Sequence, residues 1–285
     1  MKHYTISVND IELEKLNKVY QYHQIEDANP YLLFHAEHNG IDILGYKTGK
    51  VLLQGVEVTH ELVSIKNHLN REDYEAIGSD EVGTGDVFGP IVVCALYASV
   101  SDIAYLESLN VRDSKNMNDK AIIAIAPKIA KKLVHSLLIL PPRKYNDLVS
   151  KGYNLNKIKA LLHNQAIIKT SSKLKTPVAV IVDQFCTPQL YFNYIKDETL
   201  IYRDIDFHVR AEQIHLSVAA ASIIARYAFL VKMDEYSKKM GFKLHKGASK
   251  EVDEMVKQIY DEKGLKPLSL VAKMNFKNVT KQNLE

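Results

Sequence analysis

Two adjacent carboxylates, Asp80 and Glu81, follow a short apolar run in the segment IGSDEVGTGDVFGPIVV, residues 77–93. Three glycines come soon after them, before a second apolar run begins. Carboxylate oxygens bind divalent cations, and glycine lets a backbone approach a phosphate closely. The segment therefore predicts a site for a divalent cation and a phosphate. A solvated acidic turn between two strands is the alternative.

Two further acids could serve the same site. Asp183 ends the apolar run VAVIVD, at a strand end of the kind where α/β proteins bind ligands. Glu212 begins a long segment whose small residues, 219–222, favour close helix packing. An aspartate can also cap a turn, and the helix dipole favours an acid in the first turn of any helix. We expect a functional role for these acids only if they face Asp80.

Two basic loops could contact phosphate. Ser114 and Lys115 follow Asp113 in one loop, and Lys246 lies between a histidine and a glycine in another. A hydroxyl and an ammonium group can both hold phosphate oxygens. Ordinary polar loops with a helix cap are the alternative for both segments.

The first 70 residues have the pattern β-α-β-β-β-α. Asp10 is the predicted N-cap of the first helix, and Asn39-Gly40 and Thr48-Gly49 are predicted turns between three short strands. This pattern predicts a small α+β module with two helices on one face of a meander sheet. The polar residues 70–76 are the predicted boundary.

A different pattern begins at residue 74 and predicts an α/β domain with a central sheet. The predicted strands are residues 75–80, 90–98, 134–139 and 178–182. The predicted helices are residues 156–174, 212–239 and 249–263.

Composition indicates an ordinary globular protein, with 46% hydrophobic and 25% charged residues. We expect no membrane span and no secretory signal, and two cysteines within or beside apolar runs favour the reducing cytoplasm. Residues 1–70 carry 6 lysines against 9 acids, whereas the remainder has 31 basic against 25 acidic residues. A mildly basic body around an acidic centre suits an enzyme that acts on a polyanion, although it also suits many soluble proteins.

Taken together, these motifs occur in the order found in the type 2 ribonucleases H. The resemblance covers residues 74 to about 276 and rests on DEVGTG at 80–85, DSK at 113–115, Asp183, Glu212 eight residues before AAS at 220–222, and HKG at 245–247. Within that family the chain is most similar to the bacterial ribonuclease HIII branch. Three features favour this branch: the Gly-Thr-Gly loop, Glu212 as the fourth acid, and the N-terminal extension.

The resemblance implies an α/β, ribonuclease H-like catalytic domain over residues 74–285, with a central mixed sheet and flanking helices. A small α+β, TATA-binding-protein-like, substrate-binding domain would precede it over residues 1–70. The resemblance also implies an endonuclease that cuts the RNA strand of an RNA/DNA hybrid and leaves 5′-phosphate and 3′-hydroxyl ends. We expect a monomer, because a polymeric substrate needs an open groove. The implied catalytic residues hold two divalent cations, Mg²⁺ or Mn²⁺, and are Asp80, Glu81, Asp183 and Glu212. The implied substrate contacts are Gly83, Thr84, Gly85, Ser114, Lys115 and Lys246.

Some expectations within this resemblance concern individual side chains. Neighbours on a strand point to opposite faces, so Glu81 should lie at a strand end or offer its main-chain carbonyl. Polar residues of the segment GYNLNKIKALLHNQ could touch the DNA strand: Asn154, Asn156, His163 and Asn164. In the N-terminal module, the predicted contacts with the hybrid are Lys47, Lys50, Tyr31 and Tyr46.

Three alternative functions stay open. A ribonuclease HII would incise at single ribonucleotides embedded in DNA, and a tyrosine near the end of the catalytic domain would favour it; Tyr260 is not a clear counterpart. A junction or integrase-type nuclease would share the sheet and the carboxylates. A non-catalytic nucleic-acid-binding scaffold would use the acids only structurally.

Overall fold

The computed structural model describes residues 2–56, 58–69, 74–111, 114 and 116–284. The chain forms two compact units, and their boundary is not a single point in the sequence. The first unit comprises Met1–Tyr74 and Ser99–Val111, and the second comprises Glu75–Ala98 and Arg112–Glu285.

The first unit contains a four-stranded antiparallel sheet in the order β1-β4-β3-β2. Its strands are β1 (Lys2–Ser7), β2 (Leu32–His38), β3 (Ile41–Tyr46) and β4 (Lys50–Gly55), and its helices are α1 (Asp10–Val19), α2 (Thr59–His68) and α3 (Val100–Ser108). The predicted order β-α-β-β-β-α is confirmed for the N-terminal residues. Asn39 and Gly40 both adopt positive φ angles, as a tight hairpin turn requires.

The predicted cap of α1 was wrong by one residue. Asn9, not Asp10, is the N-cap, and its side chain accepts the backbone N–H of Glu12. Glu12 in turn accepts the backbone N–H of Asn9, which completes a capping box. Asp10 therefore lies in the first turn of the helix.

Alternate residues of the four strands form one core with α1 and α2, and their neighbours are more exposed. Residues that share this core include Tyr4, Ile6, Leu16, Phe34, Ile43, Leu53 and Ile65. The helix α3 belongs to the first unit, and its Glu107 contacts two residues there. Glu107 accepts a hydrogen bond from the hydroxyl of Tyr4 and forms an ion pair with the buried Lys66, whose Nζ lies 3.3 Å from Glu107 Oε2. The sequence patterns gave no sign that residues 99–111 pack with this unit.

A mixed five-stranded sheet forms the centre of the second unit, in the order β7-β6-β5-β8-β9. Its strands are β5 (Ala76–Val82), β6 (Ile91–Ala98), β7 (His135–Leu140), β8 (Ala179–Asp183) and β9 (Asp206–His208). β6 pairs antiparallel with both neighbours, whereas β5–β8 and β8–β9 are parallel pairs. The predicted mixed sheet is confirmed, and β9 was missed because three residues are too few to show a pattern.

The helices of the second unit cover both faces of this sheet. They are α4 (Asp119–Lys132), α5 (Pro142–Ser150), α6 (Leu155–Ser171), α7 (Pro188–Tyr194), α8 (Ala211–Ile214), α9 (Leu216–Met240), α10 (Lys250–Lys263), α11 (Leu265–Val271) and α12 (Lys277–Thr280). The single helix predicted over 212–239 is wrong in one respect, because His215 adopts an extended conformation and separates α8 from α9.

The helix α9 is the core helix of the second unit. By length and apolar composition alone it could cross a membrane, but about 67% of its apolar window is buried inside the protein. It starts directly against β5, where a Cβ atom on Gly78 would lie 2.2 Å from the backbone nitrogen of Val218. The first turn of α9 therefore packs directly against the backbone of β5, two residues before Asp80, and the small residues that follow, 219–221, are fully buried.

Candidate active site

The four predicted acids line one cavity of about 360 Å³ in the second unit. Asp80 and Glu81 come from the end of β5, Asp183 is the last residue of β8, and Glu212 lies in α8. β5 and β8 are parallel and pair with each other up to Ser79 and Val182, so Asp80 and Asp183 come directly after the last paired residues, at the same end of the two strands. The remaining lining residues are Ser114, Ile122, Ser222, Ile223 and Arg226.

Asp80 lies where negative charge is most crowded. Burial, followed by the charge of Glu81 and that of Asp183, raises the pKa of Asp80 to about 8, although a hydrogen bond from Ser222 opposes the shift. The backbone N–H of Glu81 also donates to Asp80 Oδ1, at 2.7 Å. A carboxyl group in this environment is proton-bound at neutral pH unless a cation replaces the proton.

Glu81 points to the other side of the strand. Its two carboxylate oxygens accept hydrogen bonds from α6, one from Lys159 Nζ at 2.8 Å and one from His163 Nε2 at 2.7 Å. Burial acts to raise the pKa of Glu81, but the contacts with His163 and Lys159 outweigh it and the pKa is lowered. Glu81 is the second-to-last residue of β5, close to the predicted strand end, and its part in metal binding stays a prediction.

Asp183 and Glu212 are brought together by a sharp turn before α8. Arg210 adopts a left-handed conformation with φ 59°, which is uncommon for a residue other than glycine. The backbone N–H of Ala211 then donates to Asp183 Oδ1, at 2.9 Å. This bond holds the start of α8 at the end of β8 and leaves Glu212 almost fully buried at the cavity.

Four carboxylates are a suitable donor set for Mg²⁺ or Mn²⁺, because both ions prefer oxygen ligands. Their mutual repulsion, visible in the raised pKa of Asp80, is relieved when a cation binds between them. The acids share a cavity without converging on one point: among the described residues, no three His, Cys, Asp or Glu side chains are grouped closely enough to hold an ion as they stand.

The glycine loop after β5 contains two different kinds of glycine. Gly83 is buried, has φ 94°, and has no room for a side chain, because a Cβ atom would lie 2.1 Å from the carbonyl oxygen of Pro90. Gly85 is exposed, and a Cβ atom there would meet nothing within 4 Å. Gly83 therefore shapes the loop, whereas Thr84 and Gly85 are the part of it that a substrate can reach.

The two predicted basic loops differ in which of their residues the structure describes and in whether those residues line the cavity. Ser114 is buried and lines the cavity, but Asp113 and Lys115 lie outside the described residues. Lys246 is about half exposed, and its Nζ lies 2.6 Å from Asp119 Oδ2. Lys246 is not among the residues that line the cavity.

Two predicted contacts with DNA were wrong. His163 is completely buried, where its Nδ1 contacts Ser79 Oγ at 2.8 Å and its Nε2 contacts Glu81. Asn164 is also buried, and its side chain bonds the backbone of Leu200 and Tyr202. Both side chains are fully engaged inside the second unit, so neither can reach a nucleic acid.

Comparisons with known proteins agree with this geometry. The family model described as Ribonuclease HII matches residues 77–279, and a domain of unknown function, DUF3378, matches residues 3–70. A Ribonuclease HIII from Phytoplasma mali (strain AT) is 48% identical over 284 residues, covering 99% of each chain. The chain belongs to the ribonuclease HIII family. A second Ribonuclease HIII, from Bacillus pumilus (strain SAFR-032), is 41% identical and covers 95% of each chain.

Solved ribonucleases HIII share the fold over nearly the whole chain. The structure of Bst ribonuclease HIII in complex with Mn²⁺ has a TM-score of 0.75 and 37% identity, covering 98% of this chain and 97% of that one. Aquifex aeolicus ribonuclease H3 has a TM-score of 0.59 and 29% identity, covering 95% and 99%. The predicted family, fold class and enzyme class, a ribonuclease H, are confirmed, and the Mn²⁺ complex agrees with the predicted divalent cation.

The sequence analysis of this ribonuclease HIII did not predict two residues that line the cavity. Ser222 donates to Asp80, and Arg226, one turn further along α9, is the only cation among the described residues that line the cavity. Both belong to the helix of the AAS motif, so their spacing of four residues placed them on one face. This spacing could have indicated from the sequence that Arg226 lies on the same helix face as Ser222.

Proposed function

We propose that this protein is an endonuclease that hydrolyses the RNA strand of RNA/DNA hybrids with two divalent cations, leaving 5′-phosphate and 3′-hydroxyl ends. The observation that carries the proposal is the cavity at the edge of the mixed sheet, where β5, β8 and α8 contribute Asp80, Glu81, Asp183 and Glu212. Membership of the ribonuclease HIII family supports the choice of substrate.

The carboxylates of Asp80, Asp183 and Glu212, together with Glu81, would hold the two cations. When bound, such ions supply an activated water and stabilise the charge on the leaving oxygen. The protein itself fixes the donors: Ser222 orients Asp80, the N–H of Ala211 orients Asp183, and α6 holds Glu81.

Recognition of RNA would fall to the loops around the cavity. The 2′-hydroxyl distinguishes RNA from DNA, and the exposed backbone at Thr84 and Gly85 can approach it closely. Ser114 lies at the cavity and can donate to a phosphate beside the scissile bond. Lys115 and Lys246 are proposed as further phosphate contacts.

The first unit would hold the hybrid outside the cavity. A groove of about 590 Å³ in this unit is lined by several hydroxyl groups, and Tyr46 and Lys50 are among its lining residues. Tyr31 is 70% exposed and Lys47 donates to the carbonyl oxygen of Pro30 near it. We also propose that the enzyme works as a monomer in the cytoplasm, since a polymeric substrate needs an open groove.

A ribonuclease HII activity at single embedded ribonucleotides is the second candidate, favoured by the family model that matches residues 77–279. One gel distinguishes the two. It carries an end-labelled RNA/DNA hybrid, a DNA duplex with one ribonucleotide, double-stranded RNA and plain DNA, each with Mg²⁺, Mn²⁺ or chelator. We expect metal-dependent cutting of the hybrid alone. Efficient cutting at the lone ribonucleotide would assign the second activity, and no cutting of any substrate would leave a non-catalytic scaffold.

A further inference from the structure

One carboxylate in the second unit bridges two cations that come from distant parts of the chain. Asp119, the first residue of α4, accepts from Arg226 Nη2 at 2.7 Å through Oδ1 and from Lys246 Nζ at 2.6 Å through Oδ2. Arg226 belongs to α9 and Lys246 to the loop before α10. The two cations are therefore spaced around a single anionic group that carries two oxygens.

A phosphodiester offers the same pattern of charge. Its two non-bridging oxygens share one phosphorus atom, as the two oxygens of a carboxylate share one carbon, and arginine and lysine bind both groups. Arg226 also lines the carboxylate cavity, where its Nη1 is held by the carbonyl oxygen of Met117 at 2.9 Å. A guanidinium has several N–H donors, and these two bonds use only part of them.

We propose that Arg226 and Lys246 form a binding site for one backbone phosphate of the nucleic acid, which the carboxylate of Asp119 occupies in the free protein. A substrate phosphate displaces this carboxylate when it binds. The inference rests on the proposed function, because the phosphate would belong to the hybrid that is cut at the neighbouring cavity. Lys246 alone was predicted from the sequence; Arg226 and the internal stand-in Asp119 come from the structure.

The exchange is feasible because the ion pairs are accessible. The side chains of Asp119 and Lys246 are 38% and 48% exposed, and water screens ion pairs of this kind. Burial acts to raise the pKa of Asp119, but the contacts with Lys246 and Arg226 outweigh it and lower the pKa, so the group competes as an anion at neutral pH. If Asp119 only positioned the two cations, its loss would weaken substrate binding instead of strengthening it.

The direction in which one substitution changes the affinity for the hybrid distinguishes these two roles of Asp119. Asp119→Asn keeps the shape of the side chain and removes its charge. We expect it to bind a fluorescent RNA/DNA hybrid about fivefold more tightly than the wild type at low salt, measured by anisotropy in chelator. Tighter binding should be lost when Arg226→Gln is combined with it.

A matched control removes an equivalent charge elsewhere. Asp234 pairs with Lys238 at 2.6 Å on the surface of α9, and Asp234→Asn should leave the affinity for the hybrid unchanged. A thermal unfolding curve accompanies each variant, because Asp119 also stabilises the N-terminus of α4. A folded Asp119→Asn protein with unchanged or weaker binding would overturn the proposal, as would tighter binding that persists without Arg226.

Failure of the proposed function is a separate result. Binding is measured without divalent cations, so it does not depend on catalysis. Tighter binding by Asp119→Asn in a protein that never cuts the hybrid would support the phosphate site and refute the nuclease. Cutting by the wild type without any gain in affinity on Asp119→Asn would support the nuclease and refute the phosphate site.

Discussion

Replacing Asp80 by asparagine should stabilise the protein in the absence of divalent cations. Asparagine has nearly the same shape as aspartate and still accepts the hydrogen bonds from Ser222 and from the backbone of Glu81, but it cannot ionise. It therefore removes the cost of burying a charge at this position and the repulsion between Asp80 and its acidic neighbours. The change would remove a proposed metal ligand, yet it should raise the free energy of unfolding.

The magnitude follows from the pKa of Asp80, which is about 8 in the folded protein against a reference value of 3.8. Because the folded pKa is raised, the wild type loses stability as the pH rises from the unfolded pKa to the folded one. At about 1.4 kcal/mol per unit of pH, the loss at pH 7 reaches about 4 kcal/mol for a rigid site. Water and loop relaxation around the buried charge reduce it, so we expect about 2 kcal/mol.

Urea unfolding of both proteins in chelator at pH 5, 7 and 9 tests this value. The gain from Asp80→Asn should be small at pH 5, grow with pH, and level off above pH 8. Saturating Mg²⁺ should shrink the gain, because only the wild type is stabilised by the bound ion. Asp206→Asn, at an exposed position of β9, is the control and should show no such trend. A gain that is independent of pH, or an Asp80→Asn protein less stable at pH 9, would refute the electrostatic reasoning.

Four further substitutions test the contacts around the cavity. Gly83→Ala should lose more than about 2 kcal/mol of stability, because a Cβ atom would lie 2.1 Å from a carbonyl oxygen, whereas Gly85→Ala should stay within about 0.5 kcal/mol of the wild type; equal thermal shifts would contradict this contrast. His163→Ala removes a buried partner of Glu81 and should cost about 3 kcal/mol in urea unfolding, so an unchanged midpoint would contradict the assignment. The buried Lys273 donates hydrogen bonds to the carbonyl oxygens of Asp86 and Gly89 in the glycine loop. Lys273→Met removes this donor and should cost about 2–4 kcal/mol in the same assay. An unchanged free energy of unfolding would show that these two hydrogen bonds do not stabilise the loop.

The set of acids was predictable because each ends or begins an element with a clear pattern. Asp80 lies near the end of one buried strand, Asp183 ends another, and parallel strands bring such ends to one edge. The type 2 ribonuclease H motifs then linked these acids to Glu212. That the four acids bind metal ions, and that the surrounding loops contact the hybrid, stay predictions.

Other features could not be read from local patterns because they depend on distant partners. His163 belongs to a polar helix segment in the sequence, and only the fold reveals that Glu81, 82 residues earlier, accepts its hydrogen bond. The break between α8 and α9 at His215 has no glycine or proline to mark it. The helix α3 lies within residues 74–285, which the sequence predicted to be the catalytic domain, yet its Glu107 pairs with Lys66 and the helix belongs to the first unit.

The same dependence on distant contacts explains why the role of Asp119 could not be predicted from the sequence. In the sequence it is an ordinary acid in the first turn of a helix, next to the N-cap Asn118. Its two cationic partners lie 107 and 127 residues further along the chain. Sequence spacing could not indicate that one carboxylate joins them.

The most direct test of the carboxylate cavity is the single-turnover rate of hybrid cleavage by the wild type and Asp80→Asn, each with Mn²⁺, Mg²⁺ and chelator. Asp206→Asn provides the matched control. We predict that the wild type and the control cut the RNA strand only with a divalent cation, and that Asp80→Asn is slower by at least about a hundredfold while remaining folded. Cutting by folded Asp80→Asn within a few-fold of the wild-type rate, or cutting by the wild type in chelator, would contradict the assignment of this cavity as the active site.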